Sequence, residues 1–304
     1  MSCGKLFCKE CADFRVLGTI TEISAPLKAR AQISERVARW EKLLKGSFSA
    51  WYDKETFHLR HRRIGDMRIG ILSDIHSNLA ALECVLDDAE SVDPSIDTYV
   101  CLGDVVGYGA NPNECCEIIR DLCEFTIVGN HDAAVCGRMD YSFYYQQARD
   151  ALDWHAEQVS DDQHEWLQSL PYRRDVDDVA YCHGAPVNEE EFEYVFTLDQ
   201  ANDLLEHWDD LAHVNFIGHS HLTKSFELDP DEGARELEGE VLTFEDDKKY
   251  VVTAGSVGQP RDNDNRACWG IFEPEAQTFE FRRVRYDVRT AARRIFDSEL
   301  SSDF

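Results

Sequence analysis

Five short polar segments, each just after an apolar run, carry the residues of this chain that could do chemistry. Ser73-Asp74-Ile75-His76 follows the first run, Gly103-Asp104 the second, and Gly129-Asn130-His131-Asp132 the third. Cys182-His183-Gly184 follows the fourth and Gly218-His219-Ser220-His221 the fifth. Asp, His and Asn together make the mixed oxygen and nitrogen donor set that suits Mn, Fe, Zn, Co or Ni. Each segment alone has an ordinary structural explanation. Gly-Asp is a common turn, Asn130-His131-Asp132 suits a helix start, and two histidines near a strand end can be satisfied polar residues. Five of them in order, each closing an apolar strand, are not explained that way. Glycine ahead of Asp104, Asn130 and His219 lets the backbone turn sharply and bring a ligand close. Asp74 and His76 are two apart, which puts both on one face of an extended strand.

The surrounding stretches predict the elements that hold these segments. Arg68–Leu72 is an apolar run of buried-strand type, and Asn78–Ala89 has helical spacing through Leu79, Leu82, Val85 and Leu86. Thr98–Leu102 reads as a second strand, Pro112–Cys123 as a helix with Pro112 in its first turn, and Phe125–Val128 as a third strand. This repetition predicts a parallel sheet with right-handed crossovers. Ligands bind at the carboxyl ends of such strands, so the five polar endings are expected on one rim. Tyr141–Leu170 reads as mostly helical up to Pro171. Val179–Cys182, Val214–Ile217, Tyr250–Thr253, Trp269–Phe272 and Phe279–Arg285 read as later strands, the last antiparallel. The acidic, Gly-containing stretch 229–240 reads as an exposed loop or hairpin tip, and Val288–Leu300 as a closing helix.

Composition narrows the function. The chain has 304 residues, 43% of them hydrophobic, enough for a sizeable core. No run of about 18 apolar residues suggests a membrane span. The first ten residues lack the apolar core of a secretory signal, so the sequence reads as cytoplasmic. A formal net charge of −28 repels phosphate backbones and disfavours non-specific DNA or RNA binding. A solvated acidic face explains that charge, as does adaptation to a salt-rich cytoplasm, where dense salt screens self-repulsion. The 11 cysteines are scattered, with Cys84, Cys101 and Cys182 in apolar runs, and read as buried free thiols.

Residues 1–66 differ from the remainder. They hold 13 basic and 8 acidic residues, against 18 basic and 51 acidic in 67–304. Met67 then opens the first strand. The expectation is an N-terminal extension of separate history, either an upstream translation ahead of a natural start at Met67 or a real basic segment. Within it, Cys8-x-x-Cys11 and His58-x-x-His61 have the short spacing of zinc ligands, though the pairs are far apart. Residues 30–45 have helical spacing through Ile33, Val37, Trp40 and Leu44.

The set Asp74-Ile-His76, Gly103-Asp104, Gly129-Asn-His-Asp132, His183 and Gly218-His-Ser-His221 resembles the calcineurin-like metallophosphoesterase superfamily over residues 67–304. Gly103-Asp-Val-Val-Gly-Tyr-Gly109 and Gly255-Ser-Val-Gly-Gln-Pro-Arg261 resemble its prokaryotic phosphodiesterase-like branch, members of which commonly start where Met67 does. The resemblance implies an α/β fold of two packed mixed β-sheets flanked by α-helices, and two divalent transition-metal ions, Mn foremost, with Fe, Zn, Ni or Co as others. It implies Asp74, His76 and His221 on the first metal, Asn130, His183 and His219 on the second, and Asp104 bridging both. A water activated between the metals would attack phosphorus, and His131 would protonate the leaving group. Asp132 is expected either to orient His131 or to cap a helix. Arg261 and Arg266 are candidate substrate contacts, with surface ion pairing as the other reading of Arg266.

The sequence departs from the Ser/Thr protein phosphatase branch, which follows its Gly-Asp with a second Asp and an Arg. Gly107 and Tyr108 stand in that region here. The expected substrate is therefore a small phosphorylated compound, diester or monoester. A nuclease of the same superfamily and a non-catalytic scaffold are the alternatives. The acidic charge opposes the first, and the complete ligand set opposes the second.

Overall fold

The first strand, Ile69–Leu72 (β1), has no polar side chain and is buried throughout, which fits a position inside a sheet. A computed structural model describes the chain over residues 67–298 and at Leu300. The zinc pairs, the helix over 30–45 and the early start site all fall outside the described residues. The helix Leu79–Glu90 (α1) leads to Thr98–Cys101 (β2), and Pro112–Leu122 (α2) leads to Phe125–Thr126 (β3). β1 and β2 pair in parallel, as do β2 and β3, so both expected crossovers form. Asn78 starts α1 by accepting the Ala81 amide at 3.2 Å, and Pro112 occupies the first turn of α2.

The chain continues through Asn130–Val135 (α3), Gln146–Gln158 (α4) and Asp161–Ser169 (α5). The stretch up to Leu170 is mostly helical as expected, in two helices divided at Val159-Ser160, with Ser160 capping the second by accepting the Gln163 amide. Next come the hairpin Arg173–Val176 (β4) and Val179–Cys182 (β5), then Leu198–Asp203 (α6) and Val214–Ile217 (β6). Ser225–Asp229 (β7) and Gly233–Leu237 (β8) form a hairpin, followed by Val241–Thr243 (β9) and Lys249–Thr253 (β10). Ala267–Glu273 (β11), Thr278–Val284 (β12) and Val288–Asp297 (α7) complete the order.

Two six-stranded mixed sheets result, ordered β3-β2-β1-β11-β12-β9 and β4-β5-β6-β10-β7-β8. The five polar endings therefore come from two sheets, not from one sheet's rim. β1, β2 and β3 supply three; β5 and β6, also parallel, supply two. The layers meet through alternate residues: Ile69 and Ile71 of one sheet and Val214, Phe216, Tyr250 and Val252 of the other share one buried cluster. Phe216 packs edge-on against Phe272 across the layers at 4.9 Å. On the outer face of the second sheet, Ile217, Phe226 and Val251 pack with Ala201 and Leu204. Burial of this kind is what fixes strand register, since a one-residue slip would turn every side chain to the wrong face. All eight described cysteines are free thiols; Cys101 and Cys182 are buried and Cys84 is half-buried. Among the described residues, no helix is long and apolar enough to cross a membrane.

Candidate metal centre

Each strand ending turns abruptly. Asp74, His76, Asp104, His219 and His221 all adopt left-handed backbone, with φ of 53°, 48°, 52°, 65° and 60°. Non-glycine residues avoid this region, at a cost on the order of 1 kcal/mol each. Backbone hydrogen bonds between the endings hold them there. The amide of Asp74 donates to Gly103 O (3.0 Å), His76 to Asp104 O (2.9 Å) and Gly218 to His183 O (2.9 Å). Gly218 permits close approach: a Cβ on it would lie 2.1 Å from Ser73 Oγ and 2.7 Å from Asp74 Oδ2. The His219 amide then reaches both oxygens of Asp74, each at 3.2 Å.

Two donor groups form. Asp74, His76, Asp104 and His221 make one; Asp104, His183 and His219 make the other, with donor atoms in each lying within 4.8 Å of one another. All these side chains are buried, none more than 7% exposed. Three imidazoles are oriented by backbone carbonyls: His76 Nδ1 lies 3.1 Å from Val106 O, His183 Nδ1 2.7 Å from Leu102 O, and His221 Nδ1 2.6 Å from Gln259 O. A neutral ring that donates its Nδ1 proton leaves a lone pair on Nε2. The Nε2 atoms of His76 and His221 nevertheless face each other at 3.0 Å. Asp74 Oδ1 lies 3.3 Å from His221 Nε2, and Asp104 Oδ2 lies 3.6 Å from His76 Nε2 and 3.3 Å from His183 Nε2. Asn130 Oδ1 adds another acceptor 3.2 Å from His183 Nε2. Carboxylates and ring nitrogens converging on one buried space suit a cation, and ligand rings fixed through their other nitrogen are the usual support of a metal site.

Proton affinities follow from the same crowding. Burial raises the Asp74 carboxyl to about 7, against the pull of His183. Burial depresses His183, but Asp104 and Asp74 outweigh it and lift the ring to about 9. Burial also opposes ionisation of Asp104, yet His183 and His131 hold it well below the usual carboxylate range. His76, His219 and His221 sit well below the usual histidine range, chiefly through burial. A proton on His183 thus offsets charge that a metal would neutralise.

His131 stands beside this set. Its ring lies 4.9 Å from His76 and 4.6 Å from Tyr108, and its buried Nδ1 has no hydrogen-bond partner. Burial lowers it to about 4, although Asp104 pulls upward. Asp132 does not orient it. Asp132 Oδ1 accepts the Val106 amide at 3.0 Å and Oδ2 the Gly129 amide at 3.1 Å, so its role is to cap α3 and pin the Gly103–Gly109 loop. Arg261 lies above the centre, 5.9 Å from the Tyr108 ring, with Nη2 donating to Gln259 Oε1 at 2.7 Å. Arg266 is elsewhere. It chelates Asp264 through Nε at 3.0 Å to both carboxylate oxygens, and it lines a cleft with Thr223, Glu236 and Glu280 that contains none of the side chains of the two donor groups. The surface ion-pair reading of Arg266 is the one that fits. Two tyrosines without any motif complete the wall. Tyr144 accepts from Asn130 Nδ2 at 2.8 Å, aiming that amide's oxygen inward, and Tyr194 stacks on His219 at 3.9 Å.

Comparison with known proteins identifies the family. The model of the calcineurin-like phosphoesterase family matches residues 67–254. An uncharacterized protein of Methanocaldococcus jannaschii is 37% identical over 236 residues, 76% of this chain and 93% of that protein. The crystal structure of a metallophosphoesterase from Sphaerobacter thermophilus is similar at a TM-score of 0.66 and 35% identity, over 78% of this chain and 95% of that one. A hypothetical protein of Pyrococcus horikoshii OT3 shares the fold at a TM-score of 0.63 and 19% identity, again over 78% and 95%. The chain belongs to the calcineurin-like phosphoesterase family and is a hydrolase of phosphoesters. Family and donor cluster together define it more narrowly, as a metal-dependent phosphoesterase.

Proposed function

We propose that this protein hydrolyses small phosphoesters in the cytoplasm, as a phosphodiesterase or phosphatase, with two divalent transition-metal ions, Mn foremost. Asp74, His76 and His221 would hold the first ion, and Asn130, His183 and His219 the second. The observation that carries this reading is the place of Asp104, whose Oδ2 lies 3.6 Å from His76 Nε2 in one donor group and 3.3 Å from His183 Nε2 in the other. One carboxylate with two oxygens can serve both ions. When bound, such a pair supplies Lewis acidity toward phosphoryl oxygens and acidifies water.

The chain's own residues do the rest. The backbone turns fix the donors before any substrate arrives, so little reorganisation accompanies binding. Arg261 is placed to grip a phosphoryl oxygen with its forked donors. His131 is the acid for the leaving oxygen. Burial keeps the free ring neutral, and a bound phosphoryl anion beside it would raise its proton affinity, so that the ring takes a proton from solvent and then gives it to the leaving oxygen. A charge of −28 on the whole chain supports a small substrate over a polynucleotide. Gly107 packs against His131 where the protein phosphatases carry charged residues, which supports a substrate other than phosphoprotein.

The test is turnover of bis-p-nitrophenyl phosphate and p-nitrophenyl phosphate with Mn²⁺, with and without chelator. Chelator-sensitive hydrolysis of at least one is expected. Failure to turn over either with any divalent metal would refute the reading.

A further inference from the structure

A narrow groove runs from His76 toward the C-terminal helix α7. Ser77, Tyr108, Asn111, Gln259 and Arg294 line it, and its volume is about 70 Å³. That is space for several waters, enough for a compact group. Two features of the groove point to an oxyanion. Ser77 is only 1% exposed, held with φ of 52°, and its Oγ is a buried side-chain oxygen with no hydrogen-bond partner. Arg294 is half-buried at the far side, and among the described residues its guanidinium makes one hydrogen bond, a long one of 3.4 Å to Asn111 Oδ1. Gln259 joins the groove to the metal centre, since its carbonyl accepts from His221 Nδ1 and its side chain from Arg261. One arginine therefore stands over the metal centre and another over the groove. α7 lies beyond residues 67–254, the part matched by the family model.

We infer that this groove is a subsite for a second phosphoryl group, held by Arg294 and Ser77 Oγ, on a substrate whose first phosphoryl group occupies the metal centre. The inference rests on the phosphoesterase reading above. It makes the preferred substrate a compact bisphosphorylated compound, with Arg294 as a determinant of specificity. A forked cation and a hydroxyl donor together match a tetrahedral oxyanion, and a charge-assisted Arg–phosphate contact discriminates by about tenfold.

The test compares 1,3-propanediol bisphosphate with propyl phosphate, following phosphate release by the Mn²⁺-loaded full chain. Arg294→Gln should raise KM for the bisphosphate about tenfold, against less than about twofold for propyl phosphate, with kcat for the bisphosphate little changed. Arg294→Lys, which keeps charge without the fork, should recover part of that loss. Ser77→Ala should act in the same direction by a few-fold, and the exposed neighbour Arg293→Gln should change neither substrate. Equal KM shifts for both substrates in Arg294→Gln, or none, would overturn the assignment. If the wild type hydrolyses no phosphoester at all, the phosphoesterase reading fails separately, and calorimetry with propane-1,3-bisphosphonate and propylphosphonate still judges the groove. A preference of about tenfold for the bisphosphonate that disappears in Arg294→Gln supports it. No preference, or one that survives the substitution, overturns it.

Discussion

Gly107 offers the sharpest test of the acid assigned to His131. It has φ of +100°, and a Cβ built on it would lie 2.4 Å from His131 Nδ1, 2.9 Å from Cγ and 3.2 Å from Cβ. Gly107→Ala therefore does two things. It strains the backbone by about 1–2 kcal/mol, the ordinary cost of an L-residue in the left-handed region. It also drives the imidazole back by about 1 Å to restore van der Waals contact, and a misplacement of that size costs on the order of a hundredfold in rate. The expected result is a roughly hundredfold fall in kcat/KM at unchanged metal content. The fall should be larger for an alkyl phosphoester than for a p-nitrophenyl ester, because nitrophenolate departs without much help from an acid. Gly137→Ala is the control. Its φ is +76° and nothing lies within 4 Å of the added Cβ, so it carries the backbone strain alone and should leave turnover intact. The decisive assay is a double-mutant cycle: in a His131→Ala background, Gly107→Ala should cost almost nothing further. Losses that multiply across the cycle, metal lost from Gly107→Ala, or equal falls for good and poor leaving groups would each refute the argument.

Other consequences can be checked in the same way. Asp104→Asn removes the carboxylate shared by both donor groups, so metal content measured by mass spectrometry should fall below two per chain and kcat/KM by more than about a hundredfold; a fully active variant would remove the bridge. Tyr144→Phe frees the Asn130 amide to turn, and titration should show the affinity of the weaker metal reduced by about tenfold. The apo protein should take up metal more tightly as pH rises toward 9, releasing protons, because Asp74 is raised to about 7 and His183 to about 9; uptake independent of pH between 6 and 9, on the order of three units, would contradict those directions. His155 is fully buried and lowered to about 4, since burial outweighs the two backbone carbonyls, of Ala151 and Gly109, that face its ring nitrogens. The neutral ring therefore contributes stability that is complete above about 6.5 and is lost as pH falls toward 4, up to roughly 3 kcal/mol; denaturant melts of His155→Gln should show a flatter acid limb than the wild type.

What could be read from the sequence depended on whether the deciding interactions were local. Strands β1 and β6 are buried throughout, β5 and β10 over most of their length and β2 over its second half, each around an apolar run, and that pattern is visible without any partner. β4 is Arg173-Arg174-Asp175-Val176, an edge strand whose charge keeps it from pairing further, and no apolar periodicity marks it. Of the two readings of 229–240, loop or hairpin tip, the structure has the second, with β8 as one arm; β7, just before that stretch, carries no apolar run to mark it as a strand. The site divides similarly. The donors were legible because their residue types and glycine neighbours recur after each strand. Tyr144 and Tyr194 were not, since each reaches the centre from a segment without any motif of its own. Arg266 carries the same chemistry as Arg261 and lies five residues away, yet Asp264, two residues before it, captures its guanidinium at 3.0 Å. The side chain of Arg261 has Gln259 and Tyr108 as neighbours, which leave it above the metal-binding cluster.

The left-handed backbone at five of the proposed ligands bears on what positions such a centre. The Nε2 atoms of His76 and His221 lie 3.0 Å apart. Carbonyls behind the rings hold them there, at Val106 for His76 and Gln259 for His221, and those carbonyls belong to the loops tied to Asp74 and His76 by main-chain hydrogen bonds. The backbone strain is therefore carried by the scaffold, which the packed sheets stabilise. This also bears on two tight glycines that lie one residue before a donor. A Cβ at Gly129 would meet Asp104 Oδ1 at 2.1 Å, and one at Gly218 would meet Asp74 Oδ2 at 2.7 Å. Each of these glycines gives up side-chain packing so that a carboxylate from a different strand can occupy the space, and it is this exchange that lets two sheets place their ligands on a common centre.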